Sequence, residues 1–345
     1  MSSTYSVNRN RCWVVADKTC GLQRHGRFRK IQAAQGEPFP SSSTRFTAAV
    51  ARKRFRIKTN SCTLEAHRED CIEALANPKR VKPGTVDVVV TSPPYNLGIP
   101  YSRYDDTVPR DEYLAWLSEW ADLVREAMSE DGSLFLNVGS KPSDPMVPFE
   151  VLQVMKDHGF HLQNTFHWIK SIAIGKESMG QNQTVSEDIV VGHYKPINSP
   201  RFVNDCHEYI FHLTRTGKVP VDRLALGVPY QDKSNVQRWK GAGTGLHCRG
   251  NTWFIPYKTI CNHSKDRPHP ATFPVQLPEM CLKLHGVDKV RKVMDPFLGL
   301  GNTAVACAHL GLDFIGFEID PSYHAQAVRA IESACNHSSD NGRHG

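Results

Sequence analysis

A predicted strand at residues 292–295 is joined to a predicted helix at residues 303–310 by the stretch Asp295-Pro296-Phe297-Leu298-Gly299-Leu300-Gly301-Asn302-Thr303. Its two glycines let the backbone pass close to a ligand, because no Cβ stands in the way, and the start of the helix offers free N–H groups. The stretch lacks the Gly-Lys-Ser/Thr ending of a phosphate-binding loop, and Ala304 breaks the spacing of a dinucleotide fingerprint. It predicts a nucleotide-like ligand at a strand-to-helix turn, with a plain tight turn as the alternative.

The next predicted strand ends in Phe314-Ile315-Gly316-Phe317-Glu318-Ile319-Asp320. In a doubly wound sheet the carboxyl ends of neighbouring parallel strands share one edge, so these carboxylates lie beside the glycine turn. A carboxylate there can accept hydrogen bonds from both hydroxyls of a ribose, and Glu318 is the better placed of the two. A solvated glutamate, or Asp320 as a helix N-cap, is the alternative.

Strand and helix patterns alternate from about residue 60 onward. Val86-Asp87-Val88-Val89-Val90 is a β-branched run typical of a strand buried on both faces, and apolar residues between 111 and 128 recur every three or four positions, as in a helix. Further strands are predicted at 133–138, 160–169, 208–213 and 314–318, and further helices around 151–155, 277–284 and 323–335. This alternation predicts an α/β fold with a mostly parallel sheet and helices on both faces.

A third motif, Thr91-Ser92-Pro93-Pro94-Tyr95-Asn96, follows the valine-rich strand. Two consecutive prolines fix φ and lack N–H donors, so the segment presents carbonyl oxygens in a rigid arrangement. The serine adds a hydroxyl, and the tyrosine adds a flat face on which a base can stack. The motif predicts an acceptor site for an amino group, while an ordinary Pro-Pro loop is the alternative.

The net charge of the chain, +7 over 345 residues, is unevenly distributed. Residues 1–60 carry 13 Lys and Arg against two acidic residues, a net charge of +11, whereas the remainder, with 29 basic and 33 acidic residues, carries −4. We expect residues 1–59 to form a basic, disordered arm, which can bind phosphates, be a solvated tail or act as a transit peptide. No apolar run approaches the roughly 18 residues of a membrane helix, and the ten cysteines include no C-x-x-C pair, which favours a soluble protein in a reducing compartment.

Together the three motifs resemble those of the amino-group DNA methyltransferases that use S-adenosyl-L-methionine. The segment at 91–96 is similar to their catalytic motif, the one at 295–303 to their cofactor loop, and the one at 314–320 to their acidic strand end. The catalytic motif precedes the cofactor motif, as in the β-type permutation of that family. The resemblance covers residues 60–335 and implies a Rossmann-like S-adenosylmethionine-dependent methyltransferase domain with circularly permuted motif order, followed by a disordered tail at 336–345. Leu300 and Asn302 depart from the family's usual cofactor loop.

The resemblance also implies roles for individual residues. The implied catalytic residues are Ser92, Pro93, Pro94 and Tyr95. The implied cofactor contacts are Asp295, Phe297, Gly299, Gly301, Asn302, Thr303 and Glu318, with Phe273 and Pro274 from a segment similar to the one that closes the cofactor pocket. Residues 217–261 lie where the family places its target-recognition region, so Lys233, Arg238, Lys240 and Arg249 are candidate DNA contacts or, alternatively, solvated surface charges. No metal site is expected, because His247, Cys248, Cys261 and His263 lack tight ligand spacing.

The expected reaction is direct methyl transfer to an exocyclic amino group of a base flipped out of duplex DNA, with Tyr95 as the stacking partner. The Ser92 hydroxyl and the Pro93 carbonyl accept the two amino hydrogens, so that the nitrogen lone pair points at the methyl group. No Pro-Cys dipeptide occurs, so the thiolate of the cytosine-C5 enzymes has no candidate in its usual setting. In the resembling family a serine before Pro-Pro-Tyr is associated with cytosine N4, and Asp or Asn with most adenine-N6 enzymes. Cytosine N4 is therefore the expected target, with adenine N6 as the alternative.

Other assignments follow from this resemblance. We expect double-stranded DNA as the partner, a cognate restriction endonuclease as a candidate second partner, no membrane, and a cytoplasmic, nucleoid-associated location. The sequence leaves monomer and dimer open. An RNA base methyltransferase and a catalytically silent DNA-binding protein are further alternatives, although the intact motif and cofactor acid argue against a silent protein.

Overall fold

The computed structural model describes residues 53–179, 187–192, 197–230, 245–256 and 272–340, which belong to one unit beginning at Ser43. The strands, in chain order, are β1 (Arg54–Lys58), β2 (Thr63–His67), β3 (Val86–Thr91), β4 (Met128–Val138), β5 (His161–Ile169), β6 (Ile172–Ile174), β7 (Ile189–Val191), β8 (His207–Thr214), β9 (Val228–Pro229), β10 (Leu246–His247), β11 (Thr252–Phe254), β12 (Lys292–Asp295) and β13 (Asp313–Phe317). The helices are α1 (Cys71–Leu75), α2 (Arg110–Ala127), α3 (Val147–Asp157), α4 (Gln276–His285), α5 (Asn302–Leu310) and α6 (Pro321–Asp340), with 3-10 turns at Lys176–Met179 and Val287–Lys289.

Nine of these strands form one sheet, in the order β1-β2-β13-β12-β3-β4-β8-β5-β11. All of them run in one direction except β1 and β8, which are antiparallel to their neighbours. Because β8 is reversed, its first residues lie at the same edge as the last residues of β3, β4 and β5. The α/β fold with a mostly parallel sheet is thus confirmed. The strand ends that carry the sequence motifs lie side by side along one border of the sheet, which is called the catalytic edge below.

Helices cover both faces of the sheet. The core on one face joins α1–α3 to strand residues such as Val89, and the core on the other joins α4–α6 to residues such as Val88. The helix α2 shows why these segments fold as they do: Leu117 and Trp120 recur at helical spacing and are fully buried, and each contributes roughly 1.5–3 kcal/mol by leaving water. Among the described residues, no helix is both long and apolar enough to cross a bilayer.

The strand β1 corrects one expectation. A disordered arm was expected up to residue 59, but residues 54–58 pair in register with β2. Phe55 is 5% exposed, and Ile57 packs against the same core, while Arg54 and Arg56 point outward to Glu65 at 3.0 and 3.5 Å. The prediction is wrong here because alternating apolar and basic residues form an edge strand with one buried face. Residues 1–52 lie outside the described part of the chain.

Two other boundaries also shift. A disordered tail was expected from residue 336, but α6 continues to Asp340. The expected recognition region at 217–261 contains β11, a strand of the main sheet, in which Trp253 is 1% exposed and stacks on Phe166 with ring centroids 4.4 Å apart. This segment lacks the period of a helix or a long strand, so three residues of edge strand carried no signal in the sequence.

Candidate active site

The turn between β12 and α5 has the form expected of a cofactor loop. Gly299 and Gly301 both adopt positive φ, 52° and 86°, which L-residues with side chains rarely adopt. A Cβ at Gly301 would lie 3.0 Å from the side chain of Ala327 on α6, so the turn also packs closely on that helix. Gly301 is the N-cap of α5, and no described side chain caps this end. The free N–H groups of the first turn therefore face the edge where the motifs meet.

Glu318 lies directly after β13, and its carboxylate braces this turn. One oxygen accepts a hydrogen bond from the Gly299 N–H at 2.8 Å, and the other accepts one from the Asp320 N–H at 2.8 Å. Each oxygen keeps a further lone pair for a ligand. The side chain is buried, and burial raises the pKa of Glu318 to about 7, against the lowering effect of the two N–H groups. A buried carboxylate with two spare acceptor positions fits the two hydroxyls of a ribose.

Asp295 connects the cofactor loop to the catalytic motif. Its Oδ1 accepts the Thr91 hydroxyl at 2.7 Å and the Phe297 N–H at 3.1 Å, and its Oδ2 accepts the Thr303 hydroxyl at 2.7 Å. Burial raises the pKa of Asp295 to about 6, against these hydrogen bonds. The carboxylate thus ties the end of β12 to the end of β3 and to the start of α5. Sequence reasoning missed Thr91, although it stands next to Ser92 in the motif.

Two aromatic contacts enclose the loop further. Phe297 packs against Trp116 and Trp120 of α2, with ring centroids 5.8 and 5.5 Å apart. On the other side, Asn302 donates its side-chain N–H to the Phe273 carbonyl at 2.6 Å. Phe273 is buried, and the carbonyl of Pro274 accepts the Leu277 N–H at the start of α4. The structure therefore brings together all nine cofactor residues predicted from the sequence, although their contacts with the cofactor itself stay a prediction.

The catalytic motif leaves the end of β3 beside this loop. The Pro94 carbonyl accepts a hydrogen bond from the hydroxyl of Tyr113 on α2 at 2.9 Å. Among the described residues, none donates a hydrogen bond to the Pro93 carbonyl, which leaves it as an available acceptor. The Ser92 hydroxyl lies 2.5 Å from the hydroxyl of Tyr95. The motif therefore offers the Pro93 carbonyl and the Ser92 hydroxyl together.

The chain after the motif is held in a fixed path. Asp106 is 2% exposed, and its carboxylate accepts the N–H groups of Asn96, Leu97 and Ile99 at 2.8–3.0 Å. Asn96 has a φ of 57°, the left-handed region that Asn tolerates better than most residues. Arg110 donates to the Asn96 side chain at 2.9 Å. These bonds fix the exit from the Pro-Pro segment, so its acceptors are arranged before any substrate arrives.

Tyr95 itself differs from the sequence-based picture. The residue is only 8% exposed, so stacking on a base requires more of the ring face than the structure exposes. Its hydroxyl instead enters a polar network with Asn137 at the end of β4 and Glu208 at the start of β8. Lys170, which follows β5, donates to Glu208 at 3.0 Å. Sequence reasoning noted Glu208 only as part of a strand and did not single out Asn137 or Lys170.

The predicted DNA contacts are mostly outside the described residues. Lys233, Arg238 and Lys240 fall there. Arg249 is exposed and donates to the Leu226 carbonyl at 3.2 Å. Arg249 precedes β11, which runs parallel to β5. It therefore lies at the N-terminal end of β11, whereas the catalytic edge is formed by the C-terminal ends of the parallel strands. A role for these four residues in binding DNA stays a prediction.

The fold and the site define an α/β, Rossmann-like methyltransferase whose catalytic motif precedes its cofactor motif. Residues 86–329 match the DNA methylase family of N6 and N4 methyltransferases, and the chain belongs to this family as a β-type amino DNA methyltransferase. A curated relative, the type II methyltransferase M.HpaI of Haemophilus parainfluenzae, is 25% identical over 266 residues, which are 77% of this chain and 74% of the relative.

Two solved structures share the fold. The cytosine-N4-specific PvuII DNA methyltransferase matches with a TM-score of 0.53 and 19% identity over 79% of this chain and 92% of its own. A DNA modification methylase of Thermus thermophilus, complexed with S-adenosyl-L-methionine, matches with a TM-score of 0.51 and 21% identity over 78% of this chain and 93% of its own. The expectation that this chain uses S-adenosylmethionine is confirmed by its family and by the fit of the glycine turn and Glu318 to such a cofactor.

Proposed function

We propose that this protein transfers the methyl group of S-adenosylmethionine to the N4 amino group of a cytosine within a short sequence of duplex DNA. The observation that carries this proposal is the position of Ser92 and the Pro93 carbonyl at the end of β3. No described residue donates to this carbonyl, and a single hydrogen bond connects the motif to the cofactor loop. The Thr91 hydroxyl, adjacent to Ser92, bonds Asp295 of that loop at 2.7 Å. The acceptors for an amino group and the residues for the methyl donor therefore belong to one rigid edge.

The chemistry follows from these acceptors. When bound, the cofactor supplies a methyl group already activated on a sulfonium, so the protein needs no strong base. An exocyclic amino nitrogen is a poor nucleophile, because its lone pair is conjugated with the ring. The Ser92 hydroxyl and the Pro93 carbonyl accept hydrogen bonds from its two N–H groups and turn the lone pair out of the ring plane. Transfer would form the new N–C bond as the methyl–sulfur bond breaks and leaves a neutral thioether, and the cationic nitrogen would then lose one proton to water. The contribution of this chain is thus orientation of one lone pair.

Cytosine is favoured over adenine by residue 92. A serine side chain is short and neutral, which suits the smaller pyrimidine ring, and the family resemblance associates Ser-Pro-Pro-Tyr with cytosine N4. Adenine N6 is the second candidate, because the same two acceptors can also hold an adenine amino group.

The target base must leave the helix to reach this edge, and its unstacking costs a few kcal/mol. Tyr95 is the proposed stacking partner once its ring face is uncovered, and basic residues of the recognition region are proposed to hold the phosphates. A type II setting, with a cognate endonuclease and a cytoplasmic, nucleoid-associated location, belongs to the same proposal. M.HpaI is a named type II methyltransferase, which supports that setting.

The test uses purified protein, radiolabelled S-adenosylmethionine and three competing polymers: duplex DNA, single-stranded DNA and RNA. After incubation, each polymer is digested to nucleosides and the labelled nucleoside is identified by chromatography. We expect label in duplex DNA as N4-methylcytosine. The Ser92→Ala variant serves as the matched control, and we expect it to lose most of the transfer while keeping cofactor affinity.

The other results would each revise one part. Label as N6-methyladenine alone would keep the mechanism and reject the base. Label in RNA alone would reject the DNA substrate. Transfer by Ser92→Ala at the wild-type rate would reject the acceptor role of the serine, and transfer to no polymer would favour a silent DNA-binding protein.

A further inference from the structure

Two charged side chains behind Ser92 have no part in the mechanism described so far. Glu208 and Lys170 form an ion pair at 3.0 Å, with side chains 13% and 19% exposed. A largely buried ion pair is weak evidence for stability, because removing both charges from water offsets most of their attraction. This pair lies at the catalytic edge because β8 runs against its neighbours. The position of this ion pair beside the catalytic motif indicates a role in the active site.

The glutamate is connected to the catalytic serine through one hydroxyl group. Its Oε2 accepts the side-chain N–H of Asn137 at 2.6 Å and lies 3.3 Å from the Tyr95 hydroxyl, which in turn contacts Ser92. A Cβ at Gly139 would lie 3.0 Å from the Tyr95 ring and 3.2 Å from the Glu208 carboxyl carbon. Glycine at this position lets both side chains pack closely against the backbone.

The number of available protons fixes which group donates in each hydrogen bond between Ser92, Tyr95 and Glu208. The Tyr95 hydroxyl has one proton, and Asn137 Nδ2 donates to its oxygen at 2.8 Å. The backbone carbonyl of Asn137 at 3.1 Å and the Glu208 carboxylate at 3.3 Å can only accept, so they draw the tyrosine proton toward themselves. The 2.5 Å contact between Tyr95 and Ser92 then needs the serine proton. Ser92 is left with lone pairs alone toward the substrate.

We propose that Glu208 is a positioning residue that acts through the Tyr95 hydroxyl to hold Ser92 as a hydrogen-bond acceptor for the amino group of the target base. This role rests on the proposed function. The amide of Asn137 supports it: turning its Nδ2 toward the carboxylate leaves its Oδ1 buried without a donor among the described residues. Such an orphan acceptor costs about 1–3 kcal/mol, which an arrangement selected only for stability would avoid.

Lys170 has a defined part in this arrangement. Burial raises the pKa of Glu208, but Lys170 and the hydrogen bonds from Asn137 and Tyr95 outweigh it and hold this pKa below its ordinary value. The carboxylate therefore stays ionised at neutral pH and attracts the tyrosine proton. Among the described residues, His207 on its own strand and Tyr101 on the loop after β3 also interact electrostatically with Glu208. Without Lys170, burial remains, and the pKa of Glu208 rises.

The test measures single-turnover methyl transfer to duplex DNA, with cofactor and DNA affinities measured separately. We expect Glu208→Gln to lower the single-turnover rate about 100-fold, as for a misplaced catalytic group, with both affinities within about twofold of wild type. In a Tyr95→Phe background, Glu208→Gln has no further effect, because the connecting hydroxyl is already gone. Glu130→Gln is the matched control, since Glu130 is 81% exposed near the start of β4, at the opposite edge of the sheet.

A pH profile separates this role from a structural one. Lys170→Met moves the acidic limb of the single-turnover rate to higher pH, and the added Glu208→Gln substitution abolishes that limb. The profile is measured with saturating cofactor at every pH, so that weaker cofactor binding through Glu318 does not contribute. A limb that persists in the double variant then belongs to another group, such as His207, and the proposal fails. Lys170 also lowers the pKa of His207, so if Glu208→Gln does not fold, His207→Asn is added to Lys170→Met instead: a shift that survives belongs to Glu208, and a shift that disappears overturns the proposal.

Further results distinguish this proposal from the function on which it rests. An active wild type with an unimpaired Glu208→Gln variant, or additive losses with Tyr95→Phe, overturns only the positioning role. A wild type that transfers no methyl group to DNA or RNA overturns the proposed function, and the positioning role with it.

Discussion

Glu318 is expected to make cofactor binding depend on pH in the neutral range. Its carboxylate is held by the Gly299 and Asp320 N–H groups, and burial raises its pKa to about 7. The hydroxyls of the cofactor ribose are proposed to donate to the remaining lone pairs. These hydrogen bonds favour the ionised carboxylate, so the protonated form binds the cofactor more weakly.

The size of the effect follows from the pKa. With a pKa of about 7, about one eleventh of the carboxyl groups are ionised at pH 6 and about ten elevenths at pH 8. If only the ionised form binds, the cofactor affinity rises about tenfold between these values, or about 1.4 kcal/mol, and levels off above pH 8.

The folding stability of the cofactor-free protein changes in the opposite direction. Because the folded-state pKa is raised, the stability that the bound proton contributes is complete below the unfolded value of about 4.5 and is lost as pH rises through about 7.

Isothermal titration calorimetry at pH 6, 7 and 8 measures this dependence directly. Glu318→Gln is expected to weaken binding by about tenfold or more at pH 8, because hydrogen bonds to a charged acceptor contribute about 1.5–3 kcal/mol each, and to remove most of the pH dependence. Asp295→Asn is the control for the pH slope, since burial also raises the pKa of Asp295 to about 6 but its oxygens are occupied within the protein. We expect this variant to bind the cofactor more weakly at every pH and to keep the wild-type slope. A flat wild-type profile would refute the reasoning, as would an equal slope in Glu318→Gln.

Three substitutions test the rigidity of the site. Thr91→Val removes one donor from buried Asp295, and we expect a loss of about 1–3 kcal/mol in the free energy of unfolding, measured with urea, together with weaker cofactor binding. Gly139→Ala places a Cβ 3.0 Å from the Tyr95 ring, so the methyl-transfer rate is expected to fall at least tenfold with little change in cofactor affinity; unchanged single-turnover kinetics would contradict this. Gly301→Ala combines a positive φ with a close contact to α6, and we expect a melting temperature lower by several degrees, which thermal unfolding monitored by circular dichroism checks.

The cofactor side of the site was predictable because its signals are local. Gly299 and Gly301 stand between a strand and a helix, and Glu318 ends the following strand. Once an alternating pattern implies a parallel sheet, the ends of adjacent strands must meet. The structure places these residues together as expected and adds the hydrogen bonds by which Asp295 connects the cofactor loop to the catalytic motif.

The polar network behind Ser92 was not predictable in the same way. Tyr95 and Glu208 are 113 positions apart in the chain, and their contact depends on β8 being inserted in reverse between β4 and β5. No local pattern reports such an insertion. The strand β1 was missed for another reason: its basic residues dominate the composition, while only Phe55 and Ile57 show the strand period.

The central claim, methylation of cytosine N4 at specific sites, is tested most directly in DNA from cells that express the protein in a host without amino methylation. Nucleoside mass spectrometry identifies the modified base, and single-molecule sequencing maps its positions. We predict N4-methylcytosine at one position of a short recurring sequence, and its absence from cells that express Ser92→Ala. N6-methyladenine as the only new base, or DNA without any new methyl group, would contradict the account.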